Sequence, residues 1–237
     1  MVKEIVAFLN IKGDEKIMDA GCGNGEDLVK LRQEHKHRGE LYGLDISEDM
    51  ISHAKTLNKK AKSGIRFIKR DIIRLEFPNE SFDVVILKHV LHNIHNYKKV
   101  VEECHRVLKT GGKLVVAVNG RKNMLVLRRL RPVIAKLLNK SFFIDSDLHI
   151  NIENIDKYLQ PIFKKIKKIK FQSSICLKNP KPYLDHLDSG QGFWEVNDDR
   201  QWQKIMTFAK EHFKEILRKK GVIKDSVIVG LASAQKS

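Results

Sequence analysis

Acidic residues are missing from two long stretches of this 237-residue sequence, 104–144 and 157–184. Bases are not: Arg106, Lys109, Lys113, Arg121, Lys122, Arg128, Arg129, Arg131, Lys136 and Lys140 all fall between Glu103 and Asp145. Residues 119–237 carry 24 Lys/Arg against 12 Asp/Glu, while residues 1–118 carry 21 against 17. Such asymmetry points to an acidic partner (nucleic acid, an anionic membrane surface, a phosphorylated substrate) or to a surface simply coated with lysine. The three cysteines, Cys22, Cys104 and Cys176, form no CxxC pair. Their spacing excludes a zinc pattern and an even-numbered disulfide framework, and it suits a reducing cytoplasm. No apolar run approaches the ~20 residues that span a bilayer. The first sixteen residues include Glu4, Asp14 and Glu15 and no small-residue cleavage site, unlike a targeting peptide. Internal repeats and low-complexity linkers are also lacking. With 42% hydrophobic residues, the chain has the material for a substantial core.

The first half alternates strand-like and helix-like segments. "EKIMDAG" is a short apolar run ending at glycine, and "EDLVKLRQEHKH" follows with helix formers. "ELYGLDIS" reads as a second strand, and "SEDMISHAKTLNKK" as a helix capped by Ser47 with acids in its first turn. "IRFIKRD" and "FDVVILK" give a third and fourth strand, the latter apolar enough to be covered on both faces. "NYKKVVEECHRVLK" predicts a helix closed by Gly111-Gly112, and "KLVVAVN" a fifth strand. This alternation predicts a doubly wound parallel sheet, whose ligands bind beyond the carboxyl ends of the strands. The second half predicts a helix over 121–140 kinked or broken at Pro132, and another from Asn151 to Leu159. A half-exposed strand should carry Ile169, Phe171, Ser173, Ile175 and Leu177 on one face. Pro182 and Gly190 bracket a further helix, and Asp198 to Lys220 is the strongest helix of the chain, with Trp202, Ile205, Met206, Ala209, Phe213, Ile216 and Leu217 along one stripe. "DSVIVGLASA" closes as a last strand.

Chemistry concentrates in "IMDAGCGNGEDL", residues 17–28. A dinucleotide fingerprint needs a third small residue, but Glu26 stands there. Glu26 and Asp27 occupy the first helical turn, where a pyrophosphate would otherwise sit, and would repel it. No Lys-Ser/Thr follows the last glycine, which excludes a Walker loop. Asp19 adds a third acid. A ligand bearing ammonium and sulfonium would instead be welcomed, a description that fits S-adenosylmethionine. Gly21, Gly23 and Gly25 would let the backbone curl around its methionyl part, with Asp19 near the ammonium. The plain alternative is a tight strand–helix turn. Asp45, ending the second strand, is placed to accept both ribose hydroxyls or, alternatively, to cap the next helix. Asp71, ending the third, suits the adenine amine, with the Ile72 N–H on a ring nitrogen and Ile46 and Met50 flanking the ring.

These segments resemble the class I S-adenosylmethionine-dependent methyltransferases, particularly the group that includes quinone-biosynthesis and small-molecule enzymes. "IMDAGCGNGEDL" looks like their first motif, "LYGLDISEDMI" like their acidic loop, and "IRFIKRDI", "FDVVILKHVLHNI" and "HRVLKTGGKLVVAV" like the segments that complete the core. The similarity covers about residues 17–119. It implies a seven-stranded Rossmann-like sheet with a last antiparallel strand, here "DSVIVGLASA", and S-adenosylhomocysteine as product. The chain then reads as a single domain, 1–237, with a cofactor core at 17–119 and helical cap insertions at 120–150 and 179–221. Few residues precede the first strand, so helices that cover the pocket in this group would be mostly missing. Lys88, closing the fourth strand, joins the expected cofactor contacts.

Methyl transfer is an in-line displacement, so orientation supplies much of the catalysis, with a base where the acceptor must lose a proton. His89 is the candidate base, or a half-buried histidine at a helix start. With His92 and His95 it forms H-x-x-H-x-x-H. On a helix the outer pair would lie about 120° apart, poor geometry for a metal, and none is expected. Base amino-methyltransferases resemble one another in an Asn/Asp-Pro-Pro-aromatic loop; Lys88-His89-Val90-Leu91 stands here instead. His149, Tyr183, His186 and Trp194 would line an aromatic acceptor pocket or form the cap's own core, and Trp202 suits core. The expected acceptor is a small molecule. The alternatives are an RNA methyltransferase using the basic second half, a non-catalytic adenosyl-binding module and, more distantly, a nicotinamide oxidoreductase.

Overall fold

The computed structural model describes residues 1–139, 149–189, 191, 196 and 198–237. In chain order the elements are α1 (Val2–Leu9), β1 (Ile17–Ala20), α2 (Glu26–Glu34), β2 (Leu41–Asp45), α3 (Glu48–Ala61), β3 (Arg66–Lys69), β4 (Phe82–Lys88), α4 (Tyr97–Val107) and β5 (Leu108–Asn119). Then come α5 (Leu125–Arg128), α6 (Leu130–Leu137), α7 (Asp156–Leu159), β6 (Lys165–Leu177), α8 (Lys181–Asp188), α9 (Asp199–Lys220) and β7 (Ile223–Gln235). One seven-stranded sheet has the order β3-β2-β1-β4-β5-β7-β6. The chain divides into two compact units: Met1–Gly120 with Ile150–Lys170 and Val229–Ser237, and Arg121–His149 with Phe171–Ile228.

In the first unit β3, β2, β1, β4 and β5 run parallel, and β7 pairs antiparallel with β5 from Lys113↔Gln235 to Asn119↔Val229. Every residue of β1 is buried, as are Val84, Val85, Ile86 and Leu87 of β4, because helices cover both faces. Ser47 caps α3, its side chain accepting the Met50 N–H, and Asn96 caps α4 through the Lys99 N–H. The order reverses between β1 and β4, and this switch point places the ends of β1, β2 and β4 together.

Three local expectations in the first unit are corrected. The helix α4 stops at Val107, not at the glycine pair: Leu108 already pairs with Phe82 in the sheet. The register then slips to Val84↔Lys113, and Gly111 makes that excursion at φ +80°, its N–H donating to the Lys236 carbonyl at 2.9 Å. His89, His92 and His95 do not share a helix: His89 turns left-handed at φ +56°, and His92 sits in a single 3-10 turn over Leu91–Asn93. The stretch from Asn151 is mostly turns before the short α7, the Asn151 side chain accepting the Glu153 and Asn154 N–H groups.

The second unit has its own core, in which α9 buries Trp202, Ile205, Ala209 and Phe213 along with Leu127, Leu130, Ile134, Tyr183 and Leu187. The expected 121–140 helix is two short ones that meet at Arg129, so the break precedes Pro132, which α6 accommodates near its start, where the missing N–H costs nothing. Asp198 caps α9 and Gly221 ends it at φ +70°.

Candidate functional site

The glycine loop between β1 and α2 is tied to the neighbouring strand by its backbone. The N–H groups of Gly21 and Cys22 both donate to the Leu44 carbonyl, at 2.7 and 2.8 Å. Gly21, Gly23 and Gly25 all have positive φ, at +91°, +55° and +75°. The three positions differ in what a side chain would meet. A Cβ at Gly21 would collide with Val90, and one at Gly25 with the Phe67 ring, whereas one at Gly23 would meet nothing within 4 Å. The loop is therefore closed on its protein side and open at Gly23.

Asp45 holds that opening in place. Its Oδ2 accepts the Gly23 N–H at 2.8 Å and its Oδ1 the Ser47 N–H at 2.9 Å, so one carboxylate joins the loop to the start of α3. The helix cap itself is Ser47. Each Asp45 oxygen retains a second lone pair for a ligand hydroxyl. Beside it, Ile46 and Met50 are apolar yet 68% and 41% exposed. Asp71 is exposed, its Oδ1 accepting the Ile73 N–H at 2.9 Å, and Ile72 is buried.

The charges at the strand ends are organised around Asp19, which is 2% exposed and whose Oδ1 has no hydrogen-bond partner. Burial pushes its carboxyl up to about 7; Lys88 opposes the shift, and the charges of Asp27 and Asp45 add to it. Lys88 Nζ is ion-paired with Asp27. Asp27 is thus neutralised across the site, which removes it as the reason a pyrophosphate would be repelled. Glu26 also has partners, the Asn24 amide and Lys30. The unsatisfied acid is Asp19 alone of these three. Its neighbour Cys22 has a thiol pushed up by burial and by Asp19 and Asp45, so it stays protonated and unreactive.

At the end of β4, the His89 N–H donates to the Ala117 carbonyl at 2.9 Å, and its Nδ1 is buried without a partner. Burial lowers the imidazole pKa, helped by Lys88 and opposed by Asp27, which favours the neutral ring with an acceptor nitrogen. A left-handed φ at a non-glycine residue costs about 1–3 kcal/mol and clusters at functional positions. Sequence reasoning missed two contributors here. Phe67 supports the loop from beneath, against both Gly25 and Gly43, and a glycine inside a strand was the available signal. The Asp27–Lys88 pair joins residues 61 apart with no local signature.

The remaining candidates belong to the second unit. Tyr183 is buried there, its hydroxyl donating to Asp225 Oδ2 at 3.0 Å, so it serves the core and not a pocket wall. The same oxygen accepts the Val126 and Leu127 N–H groups at the start of α5. His149 and His186 are exposed, and Trp194 lies outside the described residues. Trp202 is core, its Nε1 donating to Asp188 at 2.8 Å.

A family model described as a methyltransferase domain matches residues 11–221. The chain belongs to the methyltransferase-domain family. Among relatives, the demethylmenaquinone methyltransferase of Geobacillus stearothermophilus is 30% identical to this methyltransferase domain over 152 residues, covering 59% of the chain and 64% of the relative. The chain therefore spans less than two thirds of that relative's length. Among solved structures, a candidate methyltransferase from Bacillus halodurans superposes with a TM-score of 0.69 at 17% identity, covering 99% of this chain and 98% of its own. Phosphoethanolamine N-methyltransferase 2 of Haemonchus contortus, solved with phosphomonomethylethanolamine and S-adenosylhomocysteine, gives a TM-score of 0.63 at 16% identity, covering 99% of this chain and 52% of its own. These two likenesses establish the fold of the methyltransferase domain: a mixed seven-stranded sheet with flanking helices.

Proposed function

We propose that this methyltransferase domain binds S-adenosylmethionine at the Gly21–Gly25 loop and transfers its methyl group to a small-molecule acceptor, releasing S-adenosylhomocysteine. The observation that carries the proposal is the loop's opening at Gly23, held by Asp45, together with the unsatisfied buried oxygen of Asp19. The residues fit this cofactor. A buried carboxylate without a donor suits an ammonium group, the spare lone pairs of Asp45 suit a ribose diol, and exposed Ile46 and Met50 suit an adenine face. Asp71 and the Ile72 N–H complete the adenine contacts. Lys88, paired with Asp27, keeps a compensating positive charge beside Asp19.

When bound, S-adenosylmethionine supplies a methyl group on positively charged sulfur, already activated for displacement. The chain's task is orientation. The loop and Asp19 would hold the methionyl end of the cofactor, and Asp45 its ribose. His89 takes the acceptor's proton where the acceptor must lose one, its lowered pKa keeping an acceptor nitrogen available at neutral pH. The relatives that act on a demethylated menaquinone and on a phosphoethanolamine support a small-molecule acceptor. Three free cysteines support a cytoplasmic setting, and among the described residues no helix is long and apolar enough to cross a membrane.

The test is methyl transfer from labelled S-adenosylmethionine into a host lysate, with small-molecule, RNA and protein fractions counted separately. Label in the small-molecule fraction, lost in Asp19→Asn, is the expected result. Label in RNA would assign the basic second half to nucleic acid and overturn the acceptor class. Tight binding of S-adenosylhomocysteine with no label in any fraction would favour a non-catalytic module.

A further inference from the structure

The second unit contains a cavity of about 530 Å³, well within the size range of ligand pockets. Its walls come from three places: α5 and the residue after it, the last three turns of α9, and the residues from Val222 into the start of β7. Val126, Ile216 and Val222 are half-buried and form an apolar lining, while Arg129, Lys220 and Lys224 are exposed and supply its charge. Among the described residues, none of the three cations has an ion-pair partner and no acid lines the cavity. His212 also lines it, its ring stacked on Phe208 at 6.2 Å between centroids.

One ordinary explanation covers part of this. Lys220 lies in the last turn of α9 with Arg218 and Lys219, where cations complement the helix macrodipole. Lys219 is moreover paired with Glu215. Arg129 closes α5 but also opens α6, where a cation opposes the dipole, and Lys224 sits in a strand, so neither is explained in this way. Three like charges gathered on one apolar cavity repel one another, and an anion that enters it relieves that repulsion. Apolar walls beneath a cationic rim match a molecule with one anionic head and an aliphatic tail, since the tail gains from leaving water and the head keeps charge-assisted partners.

We propose that this cavity is a binding site for an anionic amphiphile, a phosphate or carboxylate head on an alkyl chain, distinct from the glycine-loop site. The head meets Arg129, Lys220 and Lys224, and the chain lies against Val126, Ile216 and Val222. Two sources carry this chemistry, a free monomeric amphiphile and an anionic lipid in a bilayer.

The experiment uses the full chain and two probes: decyl phosphate below its micelle concentration, by calorimetry, and phosphatidylglycerol vesicles against phosphatidylcholine vesicles, by sedimentation. The variant is Arg129→Gln/Lys220→Gln/Lys224→Gln, which keeps the side-chain stems; its melting temperature and S-adenosylhomocysteine affinity serve as folding controls. One-to-one binding of decyl phosphate, at least tenfold weaker in the variant and at least tenfold weaker for butyl phosphate, supports the site with a free ligand. Sedimentation with phosphatidylglycerol vesicles only, lost in the folded variant, supports it with a lipid. Binding of neither probe, binding that survives the substitutions, or equal competition by inorganic phosphate overturns it.

Discussion

Asp19 is where the folded chain departs furthest from the chemistry of a free side chain. An aspartate carboxyl that ordinarily titrates near 3.8 is pushed up to about 7 by burial. Between those values the folded state holds a proton that the unfolded state has lost, so stability falls as pH rises through that window. Asp19→Asn should flatten this dependence and leave the ligand-free protein more stable than the parent at pH 8, as denaturant titrations at pH 5 and 8 would show; parallel slopes would contradict it. Binding has the opposite sign. An ammonium group favours the ionised carboxyl, so affinity for S-adenosylhomocysteine should tighten as pH rises through about 7. Asp19→Asn should weaken it by about 1.5–3 kcal/mol and remove the pH dependence, as calorimetry at pH 6 and 8 would measure. Asp45 combines two roles. Asp45→Ala should lower stability by about 1–3 kcal/mol, because the Gly23 and Ser47 N–H groups lose their acceptor, and should weaken cofactor binding by about 1.5–3 kcal/mol. Ser47→Ala removes only the cap, worth about 1 kcal/mol. Reduced stability with unchanged affinity in Asp45→Ala would leave it as a loop anchor only.

Among the elements, the glycine loop separates folding from binding. Alanine at any of its glycines forces a left-handed conformation that costs about 1–2 kcal/mol. At Gly23 nothing else is disturbed, so Gly23→Ala should fold with a modestly lower melting temperature and lose cofactor affinity at least tenfold, because the Cβ occupies the open face. At Gly25 the Cβ meets Phe67 and Ala54, so Gly25→Ala should lose most of its yield of folded protein. Thermal melts and calorimetry on the two variants check this contrast; equal affinity for parent and Gly23→Ala would place the ligand elsewhere. The loop was legible in the sequence because glycine spacing is a local demand on φ. The helix boundaries around it were less so. Helix α4 ended earlier than its pattern suggested because Leu108 gains a strand partner in Phe82, a contact 26 residues away that no local propensity encodes.

For the whole molecule, cofactor class is the decisive property. S-adenosylhomocysteine at one hundred times its Kd should stabilise the protein by about 2.7 kcal/mol, which corresponds to a melting shift of roughly 5–10 °C at this size. NADH at the same concentration should produce none. Stabilisation by NADH alone would overturn the cofactor assignment. The net charge of +16 is concentrated after residue 118, and part of that excess gathers on the cavity of the second unit. Charge asymmetry by itself left nucleic acid, an anionic membrane surface, a phosphorylated substrate and a plain lysine coat all open. Apolar walls beside Arg129, Lys220 and Lys224 are what narrow it to an amphiphile.

The sequence by itself determined the strand–helix alternation, the parallel core of the sheet, the glycine loop and the acids at three strand ends. Each is a local matter: periodicity, φ, or the charge of a residue beside a turn. Only the tertiary structure decided what those acids do. It paired Asp27 with Lys88 across the sheet, tied Asp45 to Gly23 and Ser47, left Asp19 buried without a donor, and turned Tyr183 from a pocket candidate into a core residue hydrogen-bonded to Asp225. Those outcomes depend on burial and on partners far apart in the chain. A sequence records which groups can ionise, but folding decides which of them keep water, find a counter-charge, or are left with neither.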